Sequence, residues 1–232
     1  MNHKRFNGFC FLLLWSLYKN CETSPIVSPI DGQKGGNVTL PCQYEGSEIA
    51  DMSLIGGSES IGVCQTEECS CRVCKIGACD VFIKDLSFRD AGKYTLSVYH
   101  QTELEPHIRT YQLRVDGEVS VKMGEELELD VLVSNADKVQ HQSRRSTGWK
   151  QIWSRTEGVQ SERINIREGN LIINEFTFRD VGSYVVLDPD GNILIMVKVR
   201  AEKLNRRELM TQDHGVSKTQ GIESFTNVLK VT

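Results

Sequence analysis

Leu86-Ser-Phe-Arg-Asp-Ala-Gly-Lys-Tyr-Thr-Leu96 occurs a second time, 90 residues later, as Phe176-Thr-Phe-Arg-Asp-Val-Gly-Ser-Tyr-Val-Val186. The Phe, Arg, Asp, Gly and Tyr of the phrase are identical in the two copies and have the same spacing. A period of this size is the length of a whole domain, whereas the repeat unit of a solenoid spans about 20 to 50 residues. The phrase therefore predicts a tandem duplication of one domain.

The sequence upstream of each copy has the alternating pattern of a half-buried strand. Gly36-Asn-Val-Thr-Leu-Pro-Cys42 alternates apolar and polar residues up to a cysteine, and Gly124-Glu-Glu-Leu-Glu-Leu-Asp-Val131 does so up to a valine. Cys42 lies 54 residues before Leu96, and Val131 lies 55 residues before Val186. The nearly equal spacings predict equivalent positions for the two strands.

The repeated phrase resembles the Asp-x-Gly-x-Tyr-x-Cys signature of the immunoglobulin superfamily, in which a tyrosine near the start of strand F hydrogen-bonds to the backbone upstream. The resemblance implies an all-β fold with two tandem immunoglobulin-like β-sandwich domains. It also implies a structural tyrosine corner in each domain, built by Asp90 with Tyr94 and by Asp180 with Tyr184.

The cysteine that ends this signature is absent from both copies, where Leu96 and Val186 stand instead. The resemblance places Cys42 and Val131 at the partner positions. In the second copy, contact between Val131 and Val186 can replace the disulfide by apolar burial, which is worth roughly 1.5 to 3 kcal/mol per side chain.

The length of 232 residues suits two domains of about 100 residues each. Residues 1–23 are predicted to be a signal peptide, because a basic start precedes an apolar stretch of nine residues, Phe9 to Leu17, too short to span a bilayer. The remaining boundaries are predicted as follows: domain 1, 24–116, with a cysteine-rich loop at 64–79; domain 2, 117–201; and a polar, disordered tail, 202–232.

Short alternating runs separated by Gly, Asp and Asn continue through both domains, and no long segment has helical periodicity. The predicted strands are 38–43, 81–86, 92–99, 108–115, 127–133, 151–155, 170–174, 183–187 and 193–199. Asp188-Pro-Asp-Gly-Asn192 is predicted to form the turn between the last two. The joint at Asp116-Gly117 is very short, which predicts domains stacked end to end.

Immunoglobulin domains bury a tryptophan from strand C against the core. Gln-Ile-Trp153-Ser-Arg resembles such a strand, so we expect Trp153 in the core of domain 2 and Trp149 at a loop edge, where an exposed aromatic residue can anchor a partner. The alternative is that both tryptophans are packed internally. Domain 1 lacks a tryptophan, and Met52 or Leu54 is expected to fill its place.

Six cysteines remain after removal of the signal peptide, an even number, as a disulfide framework requires. They are Cys42, Cys64, Cys69, Cys71, Cys74 and Cys79. Because Leu96 is not a cysteine, Cys42 is expected to pair within the cluster of the other five, although six cysteines allow fifteen connectivities. A zinc site at Cys71-x2-Cys74 is the alternative, and redox catalysis is a third, but export through an oxidising compartment favours disulfides.

Asn37-Val-Thr39 is the single glycosylation sequon of the chain. On an exported chain at the entrance of a strand, Asn37 is predicted to carry a glycan. The alternative is an ordinary polar start to the strand.

Composition and motifs argue against catalysis and nucleic-acid binding. The chain has 27 basic and 31 acidic residues, whereas a nucleic-acid-binding domain needs a clustered basic face. None of the five histidines lies in a catalytic motif, and no Gly-rich phosphate loop precedes a helix. We therefore expect no enzyme activity, no cofactor and no metal.

Members of the immunoglobulin superfamily commonly serve as adhesion or immune receptors, so the resemblance implies recognition of a protein ligand or cell-surface receptor. Candidate contact segments are the loop 64–79 and the hairpin 100–107, both in domain 1. The most apolar segment after the predicted signal peptide, Ile193 to Val199, is too short to span a membrane, so the chain is expected to be secreted, or at the cell surface if a membrane-anchored form exists. Self-association is left open, and the alternative function is a cysteine-braced structural or metal-binding spacer.

Overall fold

A computed structural model describes residues 26–44, 49–65 and 71–202. The predicted signal peptide, Cys69 and the predicted tail beyond Glu202 lie outside the described residues.

Strands dominate the described residues, and the one helical turn is a 3-10 turn at Phe88–Asp90. This confirms the all-β class. The strands are β1 (Val27–Gln33), β2 (Val38–Leu40), β3 (Ile49–Gly56), β4 (Glu59–Ile61), β5 (Val73–Ile76), β6 (Asp80–Ile83), β7 (Gly92–His100), β8 (His107–Val121), β9 (Leu127–Leu129), β10 (Lys138–Ser143), β11 (Lys150–Ser154), β12 (Gly158–Val159), β13 (Ile164–Arg167), β14 (Asn170–Ile173), β15 (Gly182–Leu187) and β16 (Ile193–Ala201).

Ten of these strands form one sheet that runs through both halves of the chain. Its order is β12-β11-β10-β15-β16-β8-β7-β3-β4, and β1 pairs with β8. Strands β2, β6 and β5 form a three-stranded sheet in the N-terminal half, and β13, β14 and β9 form another in the C-terminal half.

Strand β8 passes without interruption through Asp116-Gly117, the predicted joint. Its first part pairs in parallel with β1, from Thr110 to Asp116. Its last part pairs in parallel with β16, from Val115 to Val121. One continuous strand therefore connects the two halves, and the joint lies inside it rather than in a loop.

The core forms where the long sheet and a three-stranded sheet bury apolar side chains. In the N-terminal half, Leu54, Leu96 and Leu113 of the long sheet and Leu40 and Val81 of the small sheet are fully buried. Alternation along β7 places Leu96 and Val98 in the core and turns the intervening residues outward.

The C-terminal half has the same arrangement, with Val186 of the long sheet and Leu171 of the small sheet fully buried. Val131 and Val186, which stand at the cysteine positions of the superfamily signature, both lie in the core. Burial of the two valines is consistent with the expected apolar replacement of the disulfide.

Trp153 is buried and Trp149 is exposed, as expected, but Trp153 does not lie on the strand that was predicted for it. Trp153 is 7% exposed, whereas Trp149 is 42% exposed. However, the strand that pairs with β15 is β10, and Trp153 lies one strand further out, on β11, opposite Val139. The prediction that Trp153 lies on strand C was wrong, because β10 occupies that place. Since β10 is polar at every position except Val139, its sequence does not show the alternation of a half-buried strand.

Candidate functional site

The hairpin formed by β7 and β8 presents apolar side chains outward. Tyr99 and Ile108 lie on the outer surface of the sheet, and Leu104 is fully exposed in the turn between the strands. Ile55 lies on the same outer surface because it pairs with Thr95 across β3 and β7. We refer to Ile55, Tyr99, Leu104 and Ile108 as the hairpin face.

Two small polar residues lie in the middle of this face. Ser97 pairs with Ile108 on β8, and Thr110 pairs with Thr95 on β7. Both side chains point outward in the alternation of their strands and are nevertheless buried. Two small, buried polar side chains therefore lie among the larger apolar residues of this face.

A cluster of rings lies at the end of the same hairpin. The ring centroids of His100 and His107 are 5.1 Å apart, and Tyr44 lies 5.5 Å from His100 and 4.8 Å from His107. The Arg109 guanidinium lies 5.3 Å from the Tyr44 ring. His107 also contacts Glu103 across the turn at 2.6 Å. These contacts fix the shape of the hairpin end that sequence analysis selected as a candidate contact segment.

Disulfides brace the other candidate segment. Cys42 is bonded to Cys79, and Cys64 is bonded to Cys71. Cys74 is also disulfide-bonded. The backbone at Cys64 runs beside β5, since its N–H donates to Val73 and its carbonyl accepts from Lys75.

No thiol is therefore free among the described cysteines of this cluster. Within the described parts of the chain, no group of three or more His, Cys, Asp or Glu side chains could hold a metal ion. The described residues also contain no helix with the length and apolarity of a membrane span.

The repeated phrase has the same hydrogen bonding in both halves. The Tyr94 hydroxyl donates to the Asp90 carbonyl at 2.8 Å, and the Tyr184 hydroxyl donates to the Asp180 carbonyl at 2.7 Å. Burial, followed by the nearby Asp90 charge, raises the pKa of Tyr94 to about 12. The pKa of Tyr184 is raised by burial and by the charge of its own neighbour, Asp180. Both hydroxyls therefore stay protonated and can donate at neutral pH.

The aspartate of each phrase is the last residue of a short turn, and its carboxylate bonds back to the residue just before that turn. The Asp90 carboxylate accepts from the Ser87 backbone N–H at 2.7 Å and from the Ser87 hydroxyl at 2.9 Å. The Asp180 carboxylate accepts from the Thr177 N–H at 2.8 Å and from its hydroxyl at 2.7 Å.

An arginine completes each of these clusters, and sequence analysis missed both. Arg72 pairs with Asp90, and Arg163 pairs with Asp180 at 2.7 Å. Burial opposes ionisation of Asp180, but the hydrogen bonds from Arg163 and Thr177 outweigh it and lower the pKa of this carboxyl. The available signal was an arginine 18 residues before the aspartate in one copy and 17 in the other.

The glycine of each phrase is required by close packing. Gly92 has a φ of +143°, which side chains rarely adopt. A Cβ on Gly182 would collide with the Gln142 carbonyl oxygen of the neighbouring strand β10. Both glycines therefore allow the chain to enter a strand immediately after the corner.

Asn37 lies exposed immediately before β2. Its side-chain oxygen accepts from the Asp85 backbone N–H at 3.0 Å. Glycosylation would modify the side-chain nitrogen and leave this oxygen in place.

His141 lies on β10. Its ring stacks on that of Tyr184 at 4.3 Å. Burial lowers the pKa of His141 despite the nearby Asp180 carboxylate.

No protein-family model and no curated protein matches this chain. A crystal structure of CD84 is similar over 39% of this chain and 97% of its own, with 16% identity and a TM-score of 0.33. The N-terminal four Ig domains of Dscam1 isoform 7.44 are similar over 75% of this chain and 50% of theirs, with 12% identity and a TM-score of 0.31. A titin I-band fragment is similar over 78% of this chain and 65% of its own, with 12% identity and a TM-score of 0.30. The chain thus spans half the length of the Dscam1 fragment.

Proposed function

We propose that this chain is an extracellular immunoglobulin-like recognition protein, which binds a protein ligand in cell adhesion or immune signalling and catalyses no reaction. The observation that carries the proposal is the hairpin face. Ile108 is 62% exposed near the hairpin end of the sheet, and Tyr99 and Ile55 are exposed on the same outer surface. Exposed apolar side chains that share one surface are typical of protein interaction sites.

The chemistry of this face suits a protein ligand that presents an apolar patch. Tyrosine is among the residues enriched in binding hot spots, because it combines a large apolar area with a hydroxyl group. Ser97 and Thr110 place two small polar side chains among the larger ones, so the face is not uniformly apolar.

Disulfide bonding supports an extracellular location. Disulfides persist in oxidising compartments and are rare in the cytosol. Five described cysteines of this chain are disulfide-bonded. The predicted signal peptide is consistent with the same route.

The proposal is tested with soluble tetramers of the chain from residue 24 onward, applied to cells that each express one membrane ectodomain. Binding by the wild type should fall by about tenfold or more when Ile108 is replaced by Arg, because a charge then enters the centre of the contact. Ile166→Arg is the matched control, since Ile166 is also exposed but lies on β13, in the three-stranded sheet of the C-terminal half. Equal loss in both variants would reject the hairpin face.

Self-association is measured on the same proteins by sedimentation. Association that Ile108→Arg abolishes would identify a second copy of the chain as the ligand of this face.

A structural spacer is the second candidate, favoured by one observation. Strand β8 joins the two halves without a break and pairs on both sides of Asp116-Gly117, as suits a rigid rod. Absence of binding to every ectodomain, with a fixed angle between the halves in solution scattering, would favour the spacer.

A further inference from the structure

Strands β10, β15 and β16 bring a set of basic residues to one end of the C-terminal half. Ser143, the last residue of β10, pairs with Gly182, the first of β15, and Gly182 pairs with Val199 near the end of β16. Side chains that follow β10, precede β15 or close β16 therefore lie at the same end of the sheet. We call the cations at this end the basic end: Arg144, Arg145, Lys150, Arg179 and Lys198.

These five cations lack carboxylate partners. Among the described residues, none of the five takes part in an ion pair, whereas the neighbouring Arg163 and Arg200 pair with Asp180 and Glu118. Asp180 and Glu118 are thus already paired with other cations, and the charge of Glu175 acts on Arg163.

The overall charge of the chain does not explain this concentration. Acidic residues outnumber basic ones, 31 to 27, and the formal net charge is −4. Five unpaired cations at one end of an acidic protein create a local positive field that attracts anions.

Two grooves lie side by side at the basic end, one on each side of the corner segment Phe178-Arg179-Asp180. The first has a volume of about 280 Å³, and Lys150 and Arg179 line it together with the hydroxyl groups of Ser143, Ser146 and Ser161. Within the described structure, the His141 Nε2 atom is buried beside this groove without a hydrogen-bond partner.

The second groove has a volume of about 760 Å³ and is lined by Arg144, Arg145 and Lys198. Phe178 lies in its wall with 77% of its surface exposed. The two grooves together present cations, hydroxyl donors and an exposed aromatic ring on the two sides of the corner segment.

We propose that the basic end binds a linear sulfated polysaccharide. A compact anion would occupy one groove, whereas a chain with a sulfate group on successive sugars can cross the corner segment and reach the cations on both sides. Arginine binds oxyanions through paired, charge-assisted hydrogen bonds, and serine hydroxyls supply further donors. The ring of Phe178 offers an apolar surface to the face of a sugar. This site is remote in sequence and fold from the hairpin face and does not depend on it.

The test uses the full secreted chain and a heparin dodecasaccharide immobilised on a sensor surface. Arg144→Ala with Arg145→Ala, and separately Arg179→Ala with Lys198→Ala, should each weaken binding by about tenfold or more, because each pair removes two charge-assisted contacts. Lys75→Ala with Lys93→Ala is the control, since it removes the same charge from the N-terminal half and should change affinity by less than about twofold. Unchanged melting temperatures show that the variants are folded.

Further arms distinguish other anionic partners. Equal binding to desulfated heparin would overturn the proposal, and so would equal loss in the control variant. Tighter binding to vesicles containing phosphatidylserine, or to DNA of similar length, would assign the basic end to a different ligand. Ile108→Arg should leave heparin binding unchanged, so a failure of the hairpin face does not affect this result.

Discussion

Cys42 and Cys79 face each other at the end of the pairing between β2 and β6. The antiparallel register joins Leu40 to Val81; Cys42 lies two residues after Leu40, and Cys79 lies two residues before Val81. The bond between them therefore closes within one three-stranded sheet, with both cysteines buried. Leu96, at the position of the usual cysteine on β7, instead pairs with Leu54 of β3 inside the core.

Removing this disulfide should destabilise the protein more than removing Cys64–Cys71. The two bonds close segments with sequence separations of 37 and 7 residues. Chain entropy then predicts losses of about 4 kcal/mol for Cys42→Ala with Cys79→Ala and about 2 kcal/mol for Cys64→Ala with Cys71→Ala. Urea unfolding followed by circular dichroism measures both, and a larger loss for the second pair would contradict this account.

Removing the hydroxyl of either corner tyrosine should cost about 1 to 3 kcal/mol, because a buried carbonyl loses its donor. Trp149 and Trp153 both lie in the C-terminal half, so tryptophan fluorescence reports the unfolding of that half. We expect Tyr184→Phe to lower the urea midpoint of the fluorescence transition more than Tyr94→Phe does. Equal midpoints in the two variants would mean that the halves unfold as one unit.

Gly117 should not tolerate a side chain. A Cβ there would lie 2.7 Å from the ring of Phe88. The Lys34 ammonium lies over the same ring, 4.8 Å from its centroid. Gly117→Ala is expected to destabilise the protein by about 1 to 3 kcal/mol through overpacking. Gly62→Ala is the control in a thermal melt, because a Cβ added at Gly62 would have no neighbouring atom within 4 Å. Equal melting temperatures of the two variants would show that the Phe88 ring moves aside without loss of stability.

Burial of His141 should make stability depend on pH. Its pKa lies below the ordinary 6.5, so the unfolded chain takes up a proton more readily than the folded one. The contribution of neutral His141 to stability is therefore fully present above pH 6.5. It is lost as the pH falls through 6.5 toward the lower pKa of the folded state. His141→Gln should flatten the decline in the free energy of unfolding between about pH 7 and about pH 5. Lys150, Asp180 and Tyr184 surround the ring and are unchanged in the variant, so an identical decline would exclude His141 as the cause.

Glycosylation of Asn37 remains a prediction from the sequon. Expression through a secretory pathway should give a chain whose mass falls on treatment with an amidase that removes N-linked glycans. Thr39→Ala should abolish that mass difference and Thr39→Ser should retain it, because the acceptor sequence requires a hydroxyl residue two positions after the asparagine. A wild-type chain without the difference would refute the prediction.

The nine predicted strands all overlap observed strands, because alternation and turn residues are local signals. Seven observed strands were not predicted: β1, β3, β4, β5, β10, β12 and β13. In β1, Pro29 and Gly32 break the pattern of a strand, and in β10 polar residues occupy half-buried positions. The candidate hairpin was located from its position in the repeat. Its exposed side chains became visible only with the cross-strand register.

The repeated Asp-x-Gly-x-Tyr phrase by itself determined the all-β class and the identical corners at Tyr94 and Tyr184, because the atoms that form each corner lie within a few residues of one another. The tertiary structure decided which cysteine bonds to Cys42, that β8 joins the two halves as one strand, and that cations from three strands meet at the basic end. These features depend on pairings between segments 37 to 83 residues apart. Local periodicity carries no information on such distant partners.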